Sequence, residues 1–198
     1  MSDRNRTAPS TALKIRPLTP DRWHDLEALF GERGACGGCW CMWWKLTRSQ
    51  FARQQGPGNR RAFRRLVTSG EPPGLLAYHR GTPVGWCAVA PREAYPALER
   101  SRVLGRIDDQ AVWSVVCFFV ARPFRRQGLT VALLRAAIAY AKRRGAALVE
   151  GYPVAPRSGK MPDAFAYTGL VPAFREAGFV EVSRRSPTRP IMRCALSG

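Results

Sequence analysis

Apolar and polar residues alternate along the first ordered-looking segment, Leu13-Lys14-Ile15-Arg16, as they do in a half-buried strand. Thr19-Pro20-Asp21 then offers a helix N-cap with proline in the first turn, and Trp23, Leu26 and Phe30 recur at helical spacing. Residues 31–44, rich in Gly, Cys and Trp, show no period. A second helical region is predicted over 49–69, interrupted at Gly56-Pro57-Gly58, with Phe63, Leu66 and Val67 on its apolar face. Two short strands follow, 75–78 and 84–89, around the turn Arg80-Gly81-Thr82-Pro83, which is a hairpin pattern. Residues 96–104 read as a helix or a loop.

Residues 112–120 form the most apolar run in the chain, which fits a strand covered on both faces at the centre of a sheet. A basic turn, Arg125-Arg126-Gln127-Gly128, leads into a helix over 129–144. There Leu133, Leu134, Ala137, Ile138 and Ala141 share one face. Lys142, Arg143 and Arg144 suit its negative C-terminal end, and Gly145 suits the left-handed position beyond it. The next strand is 147–152, and the strand–helix–strand unit makes it parallel to 112–120. Residues 159–167 read as a loop, 168–177 as a short helix ended by Gly178, and 179–183 and 191–195 as final strands around a proline-bearing turn. The fold class is α/β: one domain over 12–198, with a mixed, mostly antiparallel sheet, a βαβ unit and flanking helices.

A chain of 198 residues suits one domain with one sizeable core. With 45% hydrophobic and 23% charged residues the composition is globular. No stretch is apolar for long enough to span a bilayer. Residues 1–11 lack the apolar core of a secretory signal and read as a short disordered tail, so the expected location is the cytoplasm. Lys and Arg number 32 against 14 Asp and Glu, formally +18, a balance that favours anionic partners. The arginines lie in scattered pairs and form no long basic block, so a nucleic-acid arm is not indicated. Reduced thiols are expected for the six cysteines, and Cys87 and Cys117 sit inside apolar runs as core residues do.

The turn after the central run carries the clearest chemistry. The first N–H groups of the following helix lack intrahelical partners and point at any anion there, which the helix dipole favours. Gly128 lets the backbone approach a ligand closely, and Arg125 and Arg126 add positive charge. These residues resemble the acetyl-CoA loop of GNAT acyltransferases, Arg/Gln-x-x-Gly-x-Gly/Ala directly after an apolar strand. Arg125, Gly128 and Thr130 fill the three positions, Thr130 departing from the small third residue. The order of elements from about Leu13 to Ala195 is similar too. The resemblance implies acetyl-CoA as cofactor, held by Arg125, Arg126, Gln127, Gly128, Leu129 and Thr130. Main-chain groups of Phe118, Phe119 and Val120 would bond the pantetheine arm where the central strand and the 147–152 strand splay apart. It further implies direct transfer of the acetyl group to an amine, without an acyl-enzyme, in proteins among which homodimers are common.

Such a transfer needs a base for the amine, a donor for the developing oxyanion and an acid for the thiolate. Glu150, on the strand beside the cleft, is the first candidate base, with a salt-bridged structural carboxylate as the alternative; Asp108 and Asp109 come after it. The resembled family often places a tyrosine acid four residues before the glycine of Gly178-Phe179, and that position holds Phe174. Tyr167, at the start of the same helix, and Tyr152, on the splayed strand, are the candidate replacements, each equally readable as packing. His24 and His79 fall in no triad pattern. The absence of the usual acid keeps a non-catalytic acetyl-CoA-binding module as an alternative, and the charge keeps a nucleic-acid-associated protein as another.

Cys36-Gly37-Gly38-Cys39-Trp40-Cys41-Met42-Trp43-Trp44 is the segment the loop motif does not explain. Its three thiols suggest zinc with His24, His79 or another cysteine as fourth ligand, but no second ligand cluster exists, and no metal is assigned. In the resembled order it joins helices on the acceptor side. Trp40, Met42, Trp43 and Trp44 would then form an aromatic wall able to attract an ammonium substrate, or would simply cap the core.

Overall fold

Seven strands form one sheet: β1 (Leu13–Pro17), β2 (Gly74–His79), β3 (Thr82–Pro91), β4 (Trp113–Val120), β5 (Leu148–Gly151), β6 (Val180–Arg184) and β7 (Pro190–Ala195), in the order β1-β2-β3-β4-β5-β7-β6. The computed structural model describes residues 13–156 and 166–196. The tail expected over 1–11 lies outside them, as does all of the 159–167 loop except its last two residues. All neighbours pair antiparallel except β4 and β5. Those two are joined by a crossover through the longest helix, and such a connection makes strands parallel.

The helices are α1 (Trp23–Phe30), α2 (Arg48–Gln54), α3 (Pro57–Thr68), α4 (Pro96–Glu99), α5 (Leu129–Arg143) and α6 (Val171–Glu176). Two buried clusters lie on the two faces of the sheet. The first joins α1, α3 and the 31–46 segment to Trp86 and Val116. The second joins α5 and α6 to Val115, Phe118 and Val149. The continuous apolar run of β4 follows from this arrangement, since both of its faces are covered. No helix among the described residues is long and apolar enough to cross a membrane.

Local chemistry accounts for most boundaries. Arg80 (φ 49°) and Gly81 (φ 84°) are both left-handed, the backbone that a two-residue hairpin needs. Thr47 and Gln50 form a capping box that starts α2 at Arg48, a Thr-x-x-Gln signal readable in the sequence. Thr19, in contrast, does not cap the turn it begins; its Oγ1 accepts from Arg22 Nη1. The last helix starts at Val171, not at 168, because Gly169 turns left-handed (φ 84°) ahead of it. Tyr167 therefore belongs to the preceding turn and not to the helix.

β4 carries a bulge. Ala88 pairs with Cys117 and Val89 with Val115, so Val116 is the extra residue. Val116 and Cys117 consequently both face the first cluster. The bulge leaves Cys117 only partly buried, unlike the core cysteine expected there, whereas Cys87 is fully buried.

Candidate functional site: the gap between two strands and the helix that opens on it

β4 and β5 pair only over Trp113↔Val149, Ser114↔Glu150 and Val115↔Gly151. Beyond Val115, β4 runs on to Val120 without β5 beside it, so a gap opens toward the C-terminal end of both strands. Ligands of parallel strand pairs sit at such a place.

The strand end leads through a 3-10 turn, Arg122–Phe124, into the expected loop. Arg125 Nε donates to Val120 O at 3.0 Å and Gln127 Nε2 to Pro123 O at 2.7 Å, which ties the loop back to the strand. Arg126 (φ 60°) and Gly128 (φ 77°) are left-handed. A Cβ added at Gly128 would meet nothing within 4 Å, so open space lies before the helix. The first turn of α5 holds no acidic residue and its N-cap has no side-chain hydrogen bond. Its N–H dipoles and positive end are thus left for an external anion. Leu129 sends its side chain into the second cluster, so it can serve a ligand only through its main chain. Thr130 is partly buried beside it.

The main chain of β4 departs from the sequence expectation. Ala121 N donates to Val84 O on β3, and by the alternation of the ladder Phe119 faces β3 as well. Phe118 faces the gap, but its N–H already donates to Tyr167 O at 2.6 Å. Of the three residues expected to bond a ligand arm, only Val120 directs an N–H into the gap without that obstruction.

On the second-cluster side the gap is closed by Phe174. Its ring lies against Gly151, where an added Cβ would come within 2.1 Å of it, and against Gly169. It packs on Phe118 and Phe179 and is fully buried. The position of the familiar tyrosine acid is therefore a core position here.

On the first-cluster side stand Tyr167, Trp44 and Cys117, the residue after the bulge. The Tyr167 and Trp44 ring centroids are 6.5 Å apart. Burial pushes the Tyr167 phenol up to about 12. The indole N–H of Trp44 is buried without an acceptor among the described residues. Two further residues of the expected aromatic wall are core: Trp40 stacks on Trp23 at 6.0 Å, and Met42 is buried in the same cluster. Trp43 is 41% exposed and packs edge-on against Phe51. Trp23 and Phe30 on the apolar face of α1 are what draw Trp40 inward.

Glu150 is also not where a base for a cleft-bound amine would be. It is 1% exposed. Its Oε1 accepts from Arg92 Nη1 at 2.8 Å and from Tyr152 Oη at 2.7 Å, and its Oε2 accepts from Arg193 Nε at 2.8 Å. Arg92, itself buried, also donates to Glu99, to Leu104 O and to Tyr152 Oη. Ser114 Oγ lies 2.8 Å from the same phenol oxygen. Burial and the Glu150 charge push the Tyr152 phenol well above its ordinary value. Tyr152 is thus committed as a donor to Glu150 and fully buried, so neither of these two sequence candidates faces an acceptor. The network ties β4, β5, β7 and the turn that follows β3 together just below the gap. Arg193, polar among Ile191 and Met192 on an interior strand, is the signal available in sequence; Arg92 offers none.

Asp108 closes the network at the surface, accepting from both Nη atoms of Arg193 at 2.6 and 2.9 Å. Those bonds hold its carboxyl down from 3.8 to about 2. A depressed folded-state value contributes stability above the unfolded value and loses it as pH falls through the folded one. The melting temperature is therefore expected to fall between pH 3.8 and about 2, and Asp108→Asn to flatten that slope in melts recorded across the window. Asp109 has no part in the network.

Among the described residues no group of three or more His, Cys, Asp and Glu side chains is placed to hold a metal ion. His24 pairs with Glu27 on the exposed face of α1, and His79 packs against Phe124.

Residues 40–152 match the Acetyltransferase (GNAT) family. No curated protein matches the chain. Solved structures of low identity share the fold. A GNAT-family acetyltransferase of Streptococcus agalactiae is 13% identical, with a TM-score of 0.56 over 97% of this chain and 100% of that one. One from Streptococcus pneumoniae is 14% identical, with a TM-score of 0.55 over 93% and 99%. The PaiA N-acetyltransferase of Thermoplasma acidophilum, solved with coenzyme A, is 13% identical, with a TM-score of 0.50 over 93% and 99%. With a family match over more than half its length, on a sheet that splays beside an uncapped helix N-terminus, the chain belongs to the GNAT acetyltransferase family.

Proposed function

We propose that the chain is an acetyl-CoA-dependent N-acetyltransferase in which an amine bound on the first-cluster side of the β4/β5 gap is acetylated directly. The observation that carries this reading is the gap opening onto the first turn of α5, which is left without acid or cap behind a left-handed glycine. Bound acetyl-CoA supplies the activated acyl group. The residues fit it: the N–H groups of the first α5 turn, with Arg125 and Arg126, suit a diphosphate. Gly128 leaves room for close approach.

Tyr167 is the protein's own acid in this reading. Its phenol stays protonated across neutral pH and stands beside the gap. Trp44 offers a buried N–H that a bound acyl or acceptor oxygen would satisfy. Glu150 and Tyr152 act as positioning residues: they hold β5 against β4 below the gap and set its width. Phe174 keeps the opposite side dry.

The test is release of free CoA thiol from acetyl-CoA over a panel of small amines and amine-terminated peptides. Tyr167→Phe is expected to lower kcat about 100-fold with acetyl-CoA affinity unchanged. An unchanged kcat would make Tyr167 a packing residue. Tight acetyl-CoA binding with no thiol release for any amine would favour a binding module instead, in line with the hydroxyl missing at Phe174.

A further inference from the structure

The edge strand β1 places Lys14 and Arg16 on one face, two residues apart, both exposed. Lys14 is paired with Tyr78 and Arg16 with Leu76, and Tyr78 and Leu76 turn toward the first cluster. The two cations therefore stand on the α1 side of the sheet. Arg22 reaches the same space from the turn before α1, and Arg80 from the tip of the β2–β3 hairpin. Together they line a cavity of about 520 Å³. Its wall is fixed by Tyr78, whose hydroxyl donates to Asp25 on α1 at 2.6 Å. That bond braces the hairpin side of the cavity against α1.

Four cations thus converge on one space that holds a single carboxylate, Asp25, whose hydrogen bond from the neutral Tyr78 hydroxyl leaves its one negative charge against four positive ones. Arg22 has a partial counter-ion in Asp21 outside the cavity, at 3.5 Å. Lys14, Arg16 and Arg80 have no ion-pair partner among the described residues. The mutual repulsion of such a cluster is a standing electrostatic cost that a multivalent anion removes. The trough is open to solvent on one side and its volume lies in the range of small-molecule sites, so a ligand with more than one anionic group has room to reach several of the cations.

We infer that this trough between β1, α1 and the β2–β3 hairpin is a second anion site, separate from the α5 loop, for a ligand bearing two or more phosphoryl charges. The site adds to the proposed acetyl transfer and does not depend on it. Lysine and arginine at an edge strand also discourage edge-to-edge pairing, a role that needs no ligand and no convergence of cations from α1 and the hairpin.

The full chain is titrated calorimetrically with pyrophosphate at low ionic strength. Arg16→Glu/Arg80→Glu tests the trough. Arg61→Glu/Arg65→Glu makes the same charge change on exposed positions of α3. Gly128→Glu blocks the α5 loop. The expected result is a pyrophosphate-binding event weakened at least about tenfold by the trough pair and kept in the other two variants. Equal weakening by the trough and α3 pairs would reduce the effect to the general positive field and overturn the site. Loss of all pyrophosphate binding in Gly128→Glu, with the trough pair binding as the wild type does, would overturn it as well, assigning the phosphate to the loop alone. If the reversed pair melts early, Lys14→Gln/Arg80→Gln carries the same comparison with neutral side chains. ADP against a thymidine oligonucleotide then separates a free nucleotide from a nucleic-acid backbone as the source of the phosphoryl groups. Acetyl-CoA affinity in the trough variants is expected to stay at the wild-type value, so failure here and failure of the acetyl-transfer reading are told apart.

Discussion

Arg125→Glu/Gly128→Glu is expected to weaken acetyl-CoA binding by at least about 100-fold, from loss of charge-assisted hydrogen bonds and from repulsion. Three effects act together. The side chain introduced at position 128 would project into the open space before α5, where a Cβ meets no protein atom, so its carboxylate would occupy the ligand's place. Its charge would satisfy the helix dipole from within and repel a diphosphate. The exchange at position 125 would break the tie between Arg125 Nε and Val120 O that holds the loop on the end of β4. The fold should survive. The left-handed φ of 77° at position 128 costs a non-glycine residue about 1 kcal/mol, and an acidic residue at a helix N-terminus returns a comparable amount. Calorimetric titration beside a thermal melt reads both quantities. Micromolar binding in the wild type that vanishes in a variant of normal melting temperature supports the cofactor site. Equal binding in both places the cofactor elsewhere, and no binding by the folded wild type removes the acetyl-CoA reading.

The second large effect is on stability. Glu150→Ala removes the carboxylate that receives hydrogen bonds from Arg92, Arg193 and Tyr152. Arg193 keeps Asp108, and Arg92 keeps Glu99 and Leu104 O, but both guanidiniums lose their buried counter-charge. Breaking one partner out of a buried ion pair costs about 3–5 kcal/mol. For a domain of this size that lowers the melting temperature by roughly 10 °C. Glu150→Gln should cost less, since an amide oxygen still accepts from Arg92. The catalytic alternative predicts the reverse pattern: a melting temperature close to wild type and near-complete loss of acetyl transfer in Glu150→Gln. Measured side by side, the two variants decide whether Glu150 positions the strands or takes a proton.

Local signals lead directly to part of this architecture. The apolar run at 112–120, the basic glycine turn and the amphipathic stretch after it place the βαβ unit and the anion loop, because each depends on neighbouring residues alone. The candidate catalytic residues are less legible. Glu150 looks like a free strand-end carboxylate until Arg92 and Arg193, far away in sequence, are brought to either side of it. The tryptophans at 40 and 44 read equally well as a binding wall and as core. Only the packing of α1 and α3 against β3 decides that Trp40 is core and that Trp44 borders the gap. The bulge at Val116 rests on one unmatched residue in a long apolar run, and no composition cue marks it. Tyr167 reads as the start of a helix it does not enter, since the left-handed Gly169 delays α6.

The interleaved order β5-β7-β6 has a consequence for biosynthesis. β5 and β6 leave the ribosome before the strand that must lie between them. Until β7 follows, the C-terminal half of the sheet cannot close, and Glu150 waits for Arg193 while its other partner, Arg92, is already made. A nascent chain halted before Pro190 would therefore hold β1 through β5 paired, with the outer edge of β5 bare and β6 without its neighbouring strand. Bare strand edges of that kind are templates for wrong pairing, so release of the last residues is what closes the sheet against aggregation.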